Sequence, residues 1–186
     1  MTTRQNLNIE KHEEFRNYLI DNPEKARLSL ECKAGRSTVH VGPFSLDGDK
    51  VDRSTRHYTF PFGAWREVED LIGHEGPTDR IEPVEMAIAA TAACLINSIS
   101  FNAARLGMDT EGLEINVRTT VNPRVLFAIM GPEEHGSCLG KIEYDVKVSG
   151  DVSDEDLVTI KQLCKHSPVH GMMTESISVD GTVARA

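Results

Sequence analysis

Cys94 is the residue of this sequence best suited to redox or nucleophilic chemistry. It lies in the apolar, alanine-rich run AIAATAACLINSI. A cysteine thiolate attacks electrophilic atoms when a nearby base or arginine lowers its pKa. A free cysteine is also among the residues most often buried as a small hydrophobic side chain. From the residues alone, Cys94 is therefore either a nucleophile or a packing residue.

A second group of reactive side chains lies in the C-terminal third. HGSC at 135–138 and CKHSPVH at 164–170 contain imidazole and thiol groups, which are ligands that zinc prefers. The paired C-x2-C of common zinc sites is missing. We therefore expect no metal or other cofactor and keep a metal site only as an alternative. The candidate ligands of that site are His135, Cys138, Cys164 and His166.

Composition excludes several classes of protein. Twenty basic and 29 acidic residues give a net charge of −9, which disfavours binding to nucleic acid or anionic membranes. The four cysteines are too sparse and too irregularly spaced for a disulfide framework, and the first 15 residues contain no apolar core of signal-peptide length. We expect a cytoplasmic protein. The most apolar stretch, Met86 to Ile96, is shorter than the roughly 20 residues of a membrane-spanning helix, so we expect no span.

The hydrophobic pattern predicts an α+β domain with antiparallel sheets packed around one long buried helix. That helix begins at Pro83 and is closed by Gly107 in a left-handed conformation. A long loop, 61–82, precedes it. The other predicted elements are helices over 8–21 and 154–165, a short helix after Ser167-Pro168, and strands over 26–33, 37–46, 55–60, 112–121, 139–148 and 177–183.

Three segments resemble the OsmC/Ohr family of thiol-dependent peroxide reductases. EPVEMAIAATAACLINSISFNAARLGM, residues 82–108, is similar to the family's central helix with its peroxidatic cysteine. LEINVRTTV is similar to the strand that follows it. LCKHSPVHGMMTESISVDGTV, residues 163–183, is similar to the second helix, the Pro-Val turn and the last strand. The resemblance divides the chain into an N-terminal helical extension, 1–25, and an OsmC-like domain, 26–186.

The resemblance implies an OsmC-like fold, an intertwined homodimer and a mechanism. The Cys94 thiolate would attack the O–O bond of a small organic hydroperoxide, leaving a sulfenic acid. An arginine would lower the thiol pKa, and Arg36 is the first candidate for this role. Glu85 matches the family's Pro-x-Glu pattern and is the third predicted site residue. The rival arginines are Arg56, Arg66 and Arg80.

Two positions depart from the family pattern. Ser167 occupies the position of the resolving cysteine, so Cys94 cannot form a disulfide there. Val84 stands where the Ohr branch has a glutamate. Cys164 lies three residues before Ser167, on the preceding helix, and we do not expect it to substitute. An external thiol would then reduce the sulfenic acid. The alternative is a noncatalytic protein that binds an apolar small molecule, with Cys94 as a packing residue.

Overall fold

The structure is a computed structural model of the 186-residue chain. It describes residues 3–4, 7–23, 27–34, 38–47, 58–65, 69, 72–73, 79–110, 112–175 and 177–185. The chain divides into two compact units. The first unit comprises Met1–Thr3 and Asn8–Ala87, and the second comprises Arg4–Leu7 and Ile88–Ala186.

The N-terminal elements are one helix and two small sheets. Strands β1 (Thr3–Arg4) and β2 (Leu7–Asn8) precede helix α1 (Ile9–Asp21), which begins where the Asn8 side chain accepts a hydrogen bond from the Lys11 N–H. Strands β3 (Arg27–Ala34), β4 (Thr38–Asp47) and β5 (Tyr58–Pro61) form an antiparallel sheet in that order. These elements confirm the predicted helix and the first three predicted strands. Residues 55–57 of the third predicted strand lie outside the described residues.

The described residues of the predicted loop, 61–82, are held by backbone and side-chain hydrogen bonds. After the end of β5 they form neither helix nor strand. The Gly63 N–H donates to the Ile81 carbonyl at 3.1 Å. The buried Glu69 carboxylate accepts from the Asp79 N–H at 3.4 Å. These bonds close the base of the loop, and the described residues agree with the prediction.

Helix α2 (Pro83–Leu106) has a defined stop and start. At its start, the Glu82 carboxylate accepts from the Val84 N–H, and the Glu85 carboxylate accepts from the Glu82 N–H at 2.9 Å. These bonds satisfy backbone donors that the first turn leaves free. At its end, Gly107 has a φ of +84°, and the Met108 N–H donates to the Ala103 carbonyl at 2.9 Å. The predicted helix and its glycine cap are confirmed.

The second unit packs a two-stranded sheet and helix α4 (Asp154–Leu163) against α2. Strands β6 (Glu114–Arg118) and β7 (Glu143–Lys147) are antiparallel and shorter than predicted. Short helix α3 (His135–Cys138) lies between them, and α5 (Pro168–Thr174) follows a 3-10 turn, Cys164–His166. The core consists of apolar side chains of α2, α4 and the turn after it: Leu95, Ile99, Ala103, Ile160, Leu163 and Cys164.

The predicted strand over 177–183 is wrong for the single chain. Residues 177–185 are neither helical nor paired with any described strand. Val179 is 92% exposed and Val183 is 103% exposed. An alternating pattern produces a strand only where another strand supplies hydrogen-bond partners.

Helix α2 also corrects the sequence argument against a membrane span. It has 24 residues and is long and apolar enough, by length and composition, to cross a membrane. The core helix of a soluble protein passes the same test, so this finding is weak evidence. Only 22% of its most apolar window is buried within the chain. The sequence predicted a buried helix, but a single copy of the chain buries it only in part. Apolar side chains such as Phe101 and Leu106 remain exposed.

The Ser98→Ala substitution tests how α2 is joined to α4. The Ser98 hydroxyl is buried and donates to the Leu163 carbonyl at 2.9 Å. Its loss leaves that buried carbonyl with one partner fewer, so we expect the free energy of unfolding to fall by about 1–2 kcal/mol in urea titrations. Asn97→Ala, on an exposed position of the same helix, is the matched control. Equal stability of the two variants would contradict this assignment.

Candidate functional site

Cys94 lies at the border between the packed and the open side of α2. Thr91, Leu95 and Ser98, on one side of it, are buried. Side chains on its other side are exposed, among them Asn97 and Phe101. Cys94 itself is half-buried. The helix backbone therefore fixes the position of the thiol, and the Cys94 residue is only partly covered.

The same face of α2 contacts the C-terminal end of α4. Residues four apart lie above one another on a helix, so Ser98 marks the face that carries Cys94. The Ser98 hydroxyl reaches the Leu163 carbonyl, at the last residue of α4. Packing therefore brings the segment that precedes Ser167 to the Cys94 face. The two sequence segments most similar to the OsmC/Ohr family meet at this contact.

Ser167 caps a helix. It is 1% exposed, and its hydroxyl accepts a hydrogen bond from the His170 N–H at 3.2 Å. Its own N–H donates to the Cys164 carbonyl at 3.2 Å. Serine is a preferred residue at this position, directly before a proline in the first turn. The predicted site residue at 167 thus stabilises the turn between α4 and α5 through its oxygen.

Cys164 is a protonated thiol in the core of the second unit. It is 2% exposed, and its sulfur donates to the Ile160 carbonyl at 3.4 Å. Burial raises the pKa of this thiol, and a hydrogen bond from the Tyr144 hydroxyl only partly opposes that effect. The thiolate is the nucleophilic form of cysteine. Cys164 therefore lacks the properties of a resolving cysteine, in agreement with the sequence-based expectation.

The remaining predicted site residues are placed only in part. Glu85 is exposed, and its carboxylate accepts a hydrogen bond from the backbone at the start of α2. Arg36, Arg56 and Arg66 lie outside the described residues. Arg80 is described and exposed in the first unit. The participation of Glu85 and of an arginine at the site remains a prediction.

The described histidine and cysteine side chains of the C-terminal third do not assemble into a metal site. Among the described residues, no group of three or more His, Cys, Asp or Glu side chains could hold a metal ion. His135 lies at the start of α3 and is exposed, whereas Cys164 lies in the core. The side chain of Cys138 is not among those described. The described structure therefore gives no support to the metal alternative.

Sequence reasoning did not identify the polar contacts around Cys164. Tyr144 lies close enough to Cys164 for the two side chains to influence each other's pKa, and its ring makes an edge contact with the His170 ring, with the ring centroids 5.9 Å apart. Burial is the largest cause of the raised pKa of Tyr144. The sequence did contain one sign of such contacts, namely Tyr144 on the apolar face of the predicted strand 139–148. A tyrosine hydroxyl that is buried needs a polar partner nearby.

Similar solved structures include proteins of osmotic and peroxide stress. A candidate osmotic stress induced and detoxification response protein from Psychrobacter arcticus is 10% identical, with a TM-score of 0.48, over 77% of this chain and 85% of that one. An organic hydroperoxide resistance protein from Elizabethkingia anophelis is 12% identical, with a TM-score of 0.45, over 80% and 88%. The organic hydroperoxide resistance protein OhrB of Bacillus subtilis is 15% identical, with a TM-score of 0.44, over 80% and 90%.

The family is shown by the sequence itself. No curated protein sequence matches the chain significantly. A family model of OsmC-like proteins matches residues 76–181, which include α2, both strands of the second unit and the helices that follow. This is more than half of the chain, and the α+β elements are those of the fold that the resemblance implied. The chain belongs to the OsmC-like protein family and has the OsmC-like fold.

Proposed function

We propose that this protein reduces organic hydroperoxides with Cys94 as its only catalytic cysteine. The observation that carries the proposal is the position of Cys94: a half-buried thiol on the central helix, one turn before Ser98, which contacts the end of α4. The Cys94 thiolate attacks one peroxide oxygen, the O–O bond breaks, and the departing oxygen takes a proton to become an alcohol. Sulfur is oxidised to the sulfenic acid while the hydroperoxide is reduced.

Regeneration in this proposal uses an external thiol, because neither residue near the family's resolving position can act as the resolving cysteine. Ser167 has no sulfur, and Cys164 is buried and protonated. One external thiol condenses with the sulfenic acid, forming a mixed disulfide and water. A second thiol, or the other half of a dithiol, releases Cys94 and leaves as a disulfide. Arg36 is the proposed source of the positive charge that activates Cys94, with Arg56, Arg66 and Arg80 as rivals.

The working unit we propose is a cytoplasmic homodimer. Much of the apolar surface of α2 is uncovered in one chain, including Phe101 at 46% exposure. The extended segment 177–185 exposes Ile177, Val179 and Val183 and lacks a strand partner among the described residues. A second copy would bury the helix surface and supply backbone partners for the segment. Both features support the intertwined arrangement that the resemblance implied.

A second candidate function is noncatalytic binding of an apolar small molecule, with Cys94 as a packing residue. One observation favours it. Among the described residues, no hydrogen bond or ion pair to the Cys94 sulfur is found. A thiol without a positive neighbour keeps the low reactivity of an ordinary cysteine. The two candidates therefore differ in the chemistry of Cys94 and can be separated by experiment.

Substitution of Cys94 tests the enzymatic proposal. With tert-butyl hydroperoxide and a dithiol reductant, we expect wild type to consume peroxide and Cys94→Ser to fall to the uncatalysed rate, because the attacking sulfur is gone. Cys32→Ser, at an exposed cysteine of the first unit, is the control and keeps the wild-type rate. Wild type no faster than Cys94→Ser, together with slow alkylation of Cys94 at neutral pH, would instead identify the binding protein.

Ser167→Cys tests the missing regeneration step. It restores a thiol at the family's resolving position, beside the end of α4 that contacts the Cys94 face. After one equivalent of hydroperoxide, we expect a disulfide between Cys94 and the introduced thiol, visible as a loss of two hydrogens by mass spectrometry. Ser137→Cys, exposed at α3, is the control and forms no such disulfide. If the introduced thiol stays reduced while Cys94 is oxidised, position 167 does not face Cys94 in the working protein.

Ala93→Arg tests the dimer. Ala93 is exposed on α2, and an arginine there would place a charge in the surface that we propose is covered. Wild type should sediment with the mass of two chains, and the variant should shift to one chain or aggregate. Gln162→Arg, on an exposed position of α4, adds the same charge elsewhere and should remain dimeric. A monomeric wild type, or a dimeric Ala93→Arg, would contradict this interface.

A further inference from the structure

A cavity of about 420 Å³ lies in the second unit between β7 and α4. This volume falls in the range of roughly 300–1,000 Å³ that is typical of small-molecule sites. Cys94 is not among its lining residues, so the cavity is distinct from the proposed peroxide site. The lining side chains are Tyr144, Val146, Val148, Leu157, Ile160, Lys161 and Cys164.

The walls of the cavity are two regular rows of side chains. Tyr144, Val146 and Val148 alternate onto one face of β7 and its continuation, spanning roughly 13 Å. The residues from Leu157 to Cys164, on α4 and the 3-10 turn that follows it, share one helix face and span roughly 10 Å. Tyr144 and Cys164, whose side chains influence each other's pKa, belong to the two facing rows. The cavity is therefore a mostly apolar channel between strand and helix that is open to solvent.

The Lys161 side chain places a positive charge at this channel. Lys161 lines the cavity and is exposed, so its ammonium group can reach the opening. Among the described residues, no carboxylate lies within 4.0 Å of that ammonium. The nearby acidic strand residues Glu143 and Asp145 alternate onto the opposite face of β7, where both pair with Arg118. The cavity thus combines apolar walls with an unpaired cation.

We propose that this cavity binds a medium-chain carboxylate, of the size of octanoate or decanoate. The alkyl chain lies between Val146, Val148 and Leu157, where it replaces water against apolar walls. The carboxylate faces the solvent at the opening and pairs with the Lys161 ammonium. This charge complementarity favours an anionic amphiphile over a neutral one. The site is a second one, independent of the proposed reaction at Cys94.

Titration with octanoate tests the proposal. We expect saturable binding by calorimetry, with NMR shifts confined to the methyl groups of Val146, Val148, Leu157 and Ile160. Lys161→Gln should weaken octanoate binding about tenfold, because it removes the cation, and leave the weaker binding of octanol unchanged. Lys165→Gln, at an exposed lysine outside the cavity lining, is the matched control and should bind octanoate like wild type. Use of the Cys94→Ser background keeps the result independent of the proposed peroxidase activity.

A second pair of variants tests the same site without changing a lysine, in case the Lys161 substitution alters binding by disturbing the structure. Leu157 lines the cavity and is 47% exposed, whereas its neighbour Val158 is 62% exposed and lies outside the lining. Leu157→Glu places a carboxylate in the channel and should abolish octanoate binding, while Val158→Glu should not. Circular dichroism melts confirm that both variants are folded. Absence of saturable binding by wild type, equal effects of the two variants, or shifts centred on α2 would overturn the proposal.

Discussion

The packing of α2 against α4 is the constraint on which the described site depends. Leu95, Ile99 and Ala103 are fully buried in one cluster with Ile160 and Leu163. An apolar cluster sets how deeply the helices pack but is weakly directional. The buried hydrogen bond from Ser98 to the Leu163 carbonyl adds a directional link between them. Since Cys94 and Ser98 share a helix face, this link determines what lies beside the thiol.

Cys94 and Cys164, both in the second unit, differ because of their positions on the same packing interface. Cys94 lies at the edge of the interface and remains half-buried, whereas Cys164 lies inside it. Burial disfavours the charged thiolate, which raises the pKa of Cys164. The Cys164 thiol donates a hydrogen bond to the Ile160 carbonyl, so it is accommodated in the core. This difference between the two thiols supports the proposed mechanism with one reactive cysteine.

Helix α2 leaves apolar surface exposed to water in the single chain. Apolar side chains on a helix are stabilised when they leave water, and one copy buries only 22% of the most apolar window. Segment 177–185 lacks backbone hydrogen bonds of the kind a sheet supplies, because it has no strand partner among the described residues. The proposed second copy would cover the helix surface and supply the strand partner. The proposed dimer is therefore supported by solvation as well as by the family resemblance.

The sequence by itself indicated the α+β class and the central helix with its caps, and it singled out Cys94 as the leading candidate nucleophile. The caps are local: Pro83, Gly107 and Ser167 act within one or two turns of their own position. Only the tertiary structure decided that Cys164 is buried, that Ser98 contacts Leu163, and that 177–183 has no strand partner in the part of the chain that the structure describes. Each of these depends on which distant segments meet, and the periodicity of a segment predicts that it has an apolar face without specifying what covers it.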